Sequence, residues 1–118
     1  MTMASDPKTI SQSGLLSAEA NQAAALAAYG GVLTVDLDAI IANWRKLEKT
    51  AVPAECSAVI KADAYGCGAA EVARALSKAG CKTFFVATIE EARKVRAAVP
   101  EPTIYVLGGR TRPTRRAR

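Results

Sequence analysis

The stretch VIKADAYGCG, residues 59–68, places a lysine directly after a short apolar run and follows it with a tyrosine and two glycines. The run CSAVIKA predicts a strand buried on both faces, because it is short and apolar and glycines follow it. DAYGCG then predicts a loop, and the apolar spacing of residues 72–79 predicts a helix that stops at Gly80. A strand, a loop and a helix in this order begin a βαβ unit.

The same alternation continues on both sides of this stretch. VLTVDL predicts an earlier strand, with Asp38 as the N-cap of the helix that follows. KTFFVA predicts a later strand, Thr88 and Glu91 have the spacing of a capping box for a third helix, and TIYVL predicts one more strand. The resulting β-α-β-α-β-α-β order predicts an α/β fold with a parallel sheet, either doubly wound or part of a barrel. Periodicity alone does not choose between the two.

Composition limits the classes of function. Half of the residues are hydrophobic, but no apolar run approaches the roughly 18 to 20 residues of a membrane span, and no signal peptide is evident, so we expect a cytoplasmic protein. The chain has no histidine, which excludes Ser-His-Asp and Cys-His catalysis by its own residues. Three cysteines without CxxC spacing argue against a disulfide framework or a zinc site, and we expect no metal.

The net charge of +5 comes from one end of the chain. Five of the 16 basic residues are the arginines of RTRPTRRAR, residues 110–118, so the other 11 match the 11 acids of residues 1–109. Such a tail would bind phosphate backbones weakly and without reading sequence, and it has no aromatic residue for base stacking. We therefore expect no specific nucleic-acid partner.

Lys61 is the candidate catalytic residue. In parallel α/β folds the carboxyl ends of the strands face the functional rim, and a lysine that is partly desolvated there has a lowered pKa and can attack an aldehyde. The alternative is a lysine whose ammonium reaches solvent or pairs with Asp63. Gly66 and Gly68 permit positive φ and could leave backbone amides open to a phosphate, with the Tyr65 hydroxyl as a further donor. A plain loop is the simpler alternative.

The motif AVIKADAYGCG resembles the cofactor-lysine motif of alanine racemases, usually written AVVKADAYGHG. VDLDAIIANWRKL, AGCKTFFVATIEEARKVR and TIYVLG resemble the elements around that motif in the family, so that the resemblance covers about residues 32–108. It implies the N-terminal part of a (β/α)8 TIM-type barrel. The composition of residues 1–30, rich in Ser, Gln, Ala and Gly, predicts a flexible leader with one weak helix in SAEANQAAALAAY. With the resemblance, we expect a partial barrel domain over 31–109 and a basic tail unlike the family over 110–118.

The resemblance also implies a function and a site. Lys61 would hold pyridoxal 5′-phosphate through its amine and, once alanine displaces it, act as the base on one face of alanine. Tyr65 would hydrogen-bond the cofactor phosphate, and Leu107 would line the cofactor's surroundings. The family makes D-alanine for peptidoglycan and works as a homodimer, its second base being a tyrosine of a later domain. Cys67 stands where the family commonly has histidine. The alternative function is a non-catalytic barrel protein that binds or carries pyridoxal phosphate.

The length of the chain carries a further expectation. A closed (β/α)8 barrel needs roughly 200 to 250 residues, and the arginine-rich ending suggests a truncated or frame-shifted chain that is inactive by itself. A partial barrel would leave apolar strand residues, among them Val59, Phe85 and Val106, without partners. We therefore expect low stability and a tendency to aggregate.

Overall fold

The computed structural model describes residues 12–110, with side chains from residue 18 onward, and the chain divides into two compact units, Met1–Thr34 and Val35–Arg118. The first unit contains helix α1, Gln12–Ala27, which overlaps the predicted weak helix and begins five residues before it. Its residues from 18 to 27 are exposed. The division into leader, domain and tail stays a prediction.

The second unit begins with helix α2, Leu37–Ala51. Its N-cap is Asp36, whose carboxylate accepts a hydrogen bond from the Ala39 N–H at 3.0 Å, so the prediction of Asp38 as the cap was wrong. Asp38 lies in the first turn, where its negative charge opposes the positive end of the helix dipole. The predicted strand VLTVDL is also absent, because residues 31–36 form none. Extended backbone becomes a strand only when a neighbouring strand exchanges hydrogen bonds with it.

Three parallel strands form the sheet, in the order β1-β2-β3. Val59 pairs with Phe85 and Phe85 with Tyr105, which sets the register. The connections contain a short turn, α3, and the helices α4 and α5. The bounds are β1 Ala58–Val59, α3 Lys61–Tyr65, α4 Ala69–Ala79, β2 Thr83–Val86, α5 Ile89–Ala98 and β3 Thr103–Val106. The alternation of strands and helices after residue 56 is confirmed, with Gly80 ending α4 in the left-handed conformation.

One face of the sheet is covered by the helices. Phe84 and Val86 of β2 are fully buried there against residues of α4 and α5. Helix α4 packs between α2 and α5, and Trp44 of α2 joins the same core while its indole N–H donates to the Cys56 carbonyl at 3.1 Å. The α4 and α5 residues of this core are Ala69, Val72, Ala73, Leu76 and Val95. The core therefore lies between the helices and a single face of the sheet.

The other face of the sheet carries apolar side chains without helices above them. Val59 is 46% exposed and Tyr105 is 53% exposed, with the Phe85 ring stacked on Tyr105 at a centroid distance of 5.1 Å. The prediction that β1 is buried on both faces was therefore wrong for Val59. The expectation of missing partners fits Val59, but Val106 is half-buried and packs against the core, because its register places it on the covered face.

No helix within residues 12–110 is both long and apolar enough to cross a membrane.

Candidate active site at the carboxyl edge of the sheet

Lys61 directly follows the last backbone hydrogen bond between β1 and β2, which the Ile60 N–H donates to the Phe85 carbonyl at 2.9 Å. Continuing the register past the strand ends aligns Lys61 with Ala87 and Ala87 with Leu107. The extended backbone of β1 ends at Ile60, which has φ of −124° and ψ of 27°, so this register fixes the place of Lys61 just beyond the strand end. Ile60 is buried and Lys61 is half-buried. Lys61 thus lies at the edge where parallel strands present functional groups.

The backbone after Lys61 forms a turn in the left-handed conformation. Ala62, Asp63, Ala64 and Tyr65 have φ between 51° and 55°, and each residue with a Cβ costs roughly 1–2 kcal/mol in this conformation. Gly66 continues with φ of 88°, where glycine meets no such penalty. Backbone strain on this scale persists only where surrounding contacts hold it, and it concentrates at functional sites.

Backbone amides at the end of the turn donate hydrogen bonds to carbonyls at its start. The Gly66 N–H donates to the Ala62 carbonyl at 3.1 Å, and the Gly68 N–H donates to the Asp63 carbonyl at 2.9 Å. The Asp63 carboxylate accepts from the Ala69 N–H at 2.8 Å, at the start of α4. The expectation that this glycine pair leaves its amides open to a phosphate is therefore wrong. The alternative ion pair between Lys61 and Asp63 does not form either, because the Asp63 carboxylate binds the first N–H of α4 instead.

Glu91 connects the Lys61 turn to the end of β2. Its Oε1 accepts from the Ala62 N–H at 2.9 Å, and its Oε2 accepts from the Ala87 N–H at 2.7 Å and from the Thr88 N–H at 3.2 Å. Thr88 Oγ1 in turn accepts from the Glu91 N–H at 3.2 Å, which confirms the predicted capping box of α5. One carboxylate therefore holds two strand ends and a helix start.

The same hydrogen bonds act on the acidity of Glu91. Donation from the Ala62 N–H, followed by donation from Ala87 and Thr88, lowers the pKa of the Glu91 carboxyl, and the nearby charge of Lys61 adds to the effect. Hydrogen bonds to the ionised form favour that form. The carboxylate, and not the acid, is the state that fits this site.

The structure places the three predicted site residues at one edge of the sheet. Lys61 lies two residues beyond β1 and Leu107 one residue beyond β3, and the continued register separates them by two strand spacings, about 10 Å. Tyr65 ends the left-handed turn and is 65% exposed, and Leu107 is 58% exposed. Both side chains are therefore accessible at the edge where Lys61 lies. Their roles toward a cofactor stay predictions.

Sequence reasoning missed three features of this edge. The capping-box spacing identified Glu91 only as a helix cap, and no pattern in the sequence indicated its contact with Ala62. Nothing in the letters ADAY predicts a left-handed turn of residues that have a Cβ. Gly108 lies so close to β2 that a Cβ there would be 2.7 Å from the Ala87 carbonyl oxygen. The pair of glycines after TIYVL was the available signal for that close approach.

Comparison with known proteins identifies the family. The family model of the alanine racemase N-terminal domain matches residues 35–118. An alanine racemase of Methylobacterium nodulans is 59% identical over 85 residues, which are 72% of this chain and 23% of that protein. An alanine racemase of Rhizobium meliloti is 48% identical over 77 residues, or 65% of this chain and 20% of that protein. The chain thus spans about a quarter of the length of the curated relatives it matches.

Solved structures agree with the sequence comparisons. The crystal structure of alanine racemase from Bartonella henselae, which has covalently bound pyridoxal phosphate, matches with a TM-score of 0.65 and 51% identity, covering 67% of this chain and 23% of that one. Alanine racemase from Streptomyces lavendulae matches with a TM-score of 0.57 and 44% identity, covering 59% and 18%. The parallel strands and their helices are the start of a TIM-type barrel, as predicted. By sequence and by fold, this chain belongs to the alanine racemase N-terminal domain family.

Proposed function

We propose that this chain supplies the cofactor-lysine part of a pyridoxal-phosphate-dependent alanine racemase, with Lys61 as the residue of covalent attachment. The observation that carries the proposal is the place of Lys61: it lies just beyond β1 at the carboxyl edge of the sheet, at the start of a turn whose backbone Glu91 holds. The sequence around it matches a family that includes a structure with covalently bound pyridoxal phosphate.

The residues at this edge fit such a cofactor. The half-buried Lys61 offers an amine, the exposed Tyr65 offers a hydroxyl that can donate to a phosphate, and the exposed Leu107 offers apolar surface just after β3. The Gly66 and Gly68 amides are occupied by carbonyls of the turn, and the hydroxyl of Tyr65 is a donor that this loop contributes. When bound, pyridoxal phosphate serves as an electron sink for the negative charge left on Cα when alanine loses its α-proton.

The task of Lys61 in the reaction is proton transfer. Once the amino group of alanine has displaced Lys61 from the cofactor, the freed Nζ would take the α-proton from one face of alanine and return a proton to that face. Inversion needs a second group on the opposite face, and the family resemblance implies a tyrosine of a later domain acting across a homodimer. We therefore propose that residues 1–118 alone bind the cofactor and do not racemise alanine. In the complete enzyme, the reaction would supply D-alanine for peptidoglycan in the cytoplasm.

Reductive trapping tests the attachment. The chain is incubated with pyridoxal phosphate, treated with borohydride, digested and analysed by mass spectrometry, with Lys61→Ala and Lys82→Ala as a matched pair. Lys82 is an exposed lysine directly before β2, at the opposite edge of the sheet. We expect label on the Lys61 peptide in the wild type and in Lys82→Ala. Equal labelling of all lysines would contradict the proposal.

The second candidate is a non-catalytic pyridoxal-phosphate-binding protein. One observation favours this non-catalytic candidate: the carboxyl edge of the sheet carries Lys61 and Tyr65, whereas the second base of the family's reaction belongs to another domain. Chiral analysis of alanine separates the two candidates. D-alanine formed from L-alanine by the 118-residue chain, and lost in Lys61→Ala, would support a racemase that is active without further domains. Trapping without racemisation is the result we expect.

A further inference from the structure

We propose that Glu91 is a positioning residue for Lys61: its carboxylate holds the left-handed turn after Lys61 against the end of β2 and thereby fixes where the lysine leaves the sheet. The link to the cofactor rests on the function proposed above. The contacts that carry the inference belong to this chain alone, and they join Ala62, Ala87 and Thr88 to one side chain.

The geometry of the turn creates the need for such a residue. Residues 62–65 adopt a left-handed conformation that side chains with a Cβ disfavour, and Ala62 follows Lys61 directly in the chain. The Ala62 N–H donates to Glu91 Oε1, whereas the Ala64 N–H donates to the Ile60 carbonyl at 3.0 Å inside the turn. The first amide of the turn is thus satisfied by a residue 29 positions away. That contact ties the turn to α5.

A carboxylate suits this position better than any other side chain. It has two oxygens and about four acceptor sites, and both oxygens of Glu91 are in use, one toward the Lys61 turn and one toward the end of β2. A glutamine has a single acceptor oxygen, so it can serve one of the two strand ends and turns an N–H₂ group toward the other. An alanine serves neither. The series Glu, Gln, Ala therefore removes the connection in two steps.

Glu90 provides the matched control. It lies in the same first turn of α5, its side chain is exposed, and its Oε1 pairs with Arg93 at 3.1 Å on the surface. Glu90→Gln removes the same charge from the same helix terminus and leaves the contacts of Glu91 in place. An effect of the lost charge on the helix dipole appears in both Glu90→Gln and Glu91→Gln. An effect through the Lys61 turn appears only in the two variants of Glu91.

The first measurement is amide hydrogen exchange followed by mass spectrometry on the full 118-residue chain without cofactor. We expect peptides covering residues 61–66 to exchange about tenfold faster or more in Glu91→Ala, because a hydrogen bond to a charged acceptor is lost. Peptides of α2 and α4 keep their rates, and Glu91→Gln lies between the wild type and Glu91→Ala. Unchanged exchange over residues 61–66 in both Glu91 variants would overturn the inference.

The second measurement is borohydride trapping of pyridoxal phosphate, scored as the ratio of label on Lys61 to label on Lys82. We expect this ratio to fall about tenfold in Glu91→Ala, to recover partly in Glu91→Gln and to stay unchanged in Glu90→Gln. If Glu91 were only a structural cap, its loss would lower the fraction of folded chain but leave the labelling ratio of the folded chains unchanged. The fluorescence of the single, buried Trp44 measures the folded fraction. A ratio that stays at the wild-type value in both Glu91 variants would overturn the positioning role.

The two proposals fail in different ways. A wild-type chain that shows no preference for Lys61 contradicts the cofactor function, and the exchange measurement then still decides whether Glu91 holds the turn. A wild-type chain that prefers Lys61, with the same preference in Glu91→Ala, contradicts the role of Glu91 and leaves the cofactor function standing. If Glu91→Ala unfolds, the comparison of Glu91→Gln with Glu90→Gln decides both measurements.

Discussion

The two faces of the sheet differ sharply although the same strands build both. Phe84 and its neighbour Phe85 are consecutive residues of β2, yet Phe84 is fully buried against the helices while Phe85 lies on the uncovered face and stacks on Tyr105. Val59, on the same face as Phe85, is 46% exposed. Apolar character is thus the same on both faces, and only the presence of helices distinguishes them.

This difference shows what the uncovered face is suited to. In a closed (β/α)8 barrel the helices form the outer ring and the side chains of the opposite face fill the interior. The row Val59, Phe85 and Tyr105 has the apolar side chains of such an interior, and Lys61 lies at its carboxyl end. The covered face supports the fold of this chain, and the uncovered face supports its proposed chemistry.

Substitution of the two phenylalanines gives the largest expected contrast. We expect Phe84→Ala to lower the free energy of unfolding by about 3–5 kcal/mol, because it leaves a cavity in the covered core. Phe85→Ala should cost less than about 1.5 kcal/mol, mainly the stacking on Tyr105. Urea unfolding followed by Trp44 fluorescence measures both values. Equal losses would break the comparison, since they would show that both faces are packed.

Self-association measures the uncovered face directly. We expect Val59→Thr, which preserves the β-branched shape, to raise the concentration at which the chain associates by about tenfold, because apolar surface drives association. Leu47→Thr is the control, since Leu47 is 62% exposed but lies on α2. Sedimentation velocity over a concentration series gives the result. A larger effect from Leu47→Thr would place the associating surface on the helices.

The pH dependence of stability tests the edge where the two faces end. Because the pKa of Glu91 is lowered in the folded chain by the Ala62, Ala87 and Thr88 amides, the carboxylate stabilises the fold above its unfolded pKa of about 4.3. That contribution is lost as the pH falls through the lower, folded pKa. We expect Glu91→Gln to flatten this acid limb in melts below about pH 4.5, with Glu90→Gln as control. An acid limb of equal size in Glu91→Gln would assign it to other groups.

Thiol reactivity gives the smallest contrast. Burial raises the pKa of the Cys81 thiol, although the Thr83 backbone acts in the opposite direction, and Cys81 is only 2% exposed beside the covered core. We expect iodoacetamide at pH 8 to alkylate Cys81 about tenfold more slowly than the half-buried Cys67. Peptide mass spectrometry at several times measures both rates. Faster reaction of Cys81 would mean that the covered face opens readily.

Sequence patterns predicted much of the covered face. The spacing of Val72, Ala73 and Leu76 on α4 and the capping box of α5 are local signals, so the helices followed from the chain itself. The first predicted strand failed because a strand requires a partner. The cap of α2 was placed two residues late because either aspartate can serve, and the backbone conformation at Asp36 decides between them. The prediction that Val59 is buried was wrong for a similar reason, because its burial depends on elements that pack over that face of the sheet.

The order of strands and helices after residue 56 and the candidate lysine were indicated by the amino-acid sequence, because periodicity, capping residues and a motif are properties of neighbouring residues. Tertiary structure decided the rest. It determined which strand residues are covered, that Asp63 accepts from the start of α4 and does not pair with Lys61, and that Glu91 accepts from the Ala62 N–H. The physical reason is sequence separation. A hydrogen bond between residues 29 positions apart exists only after two strands lie side by side and bring their carboxyl ends to one edge.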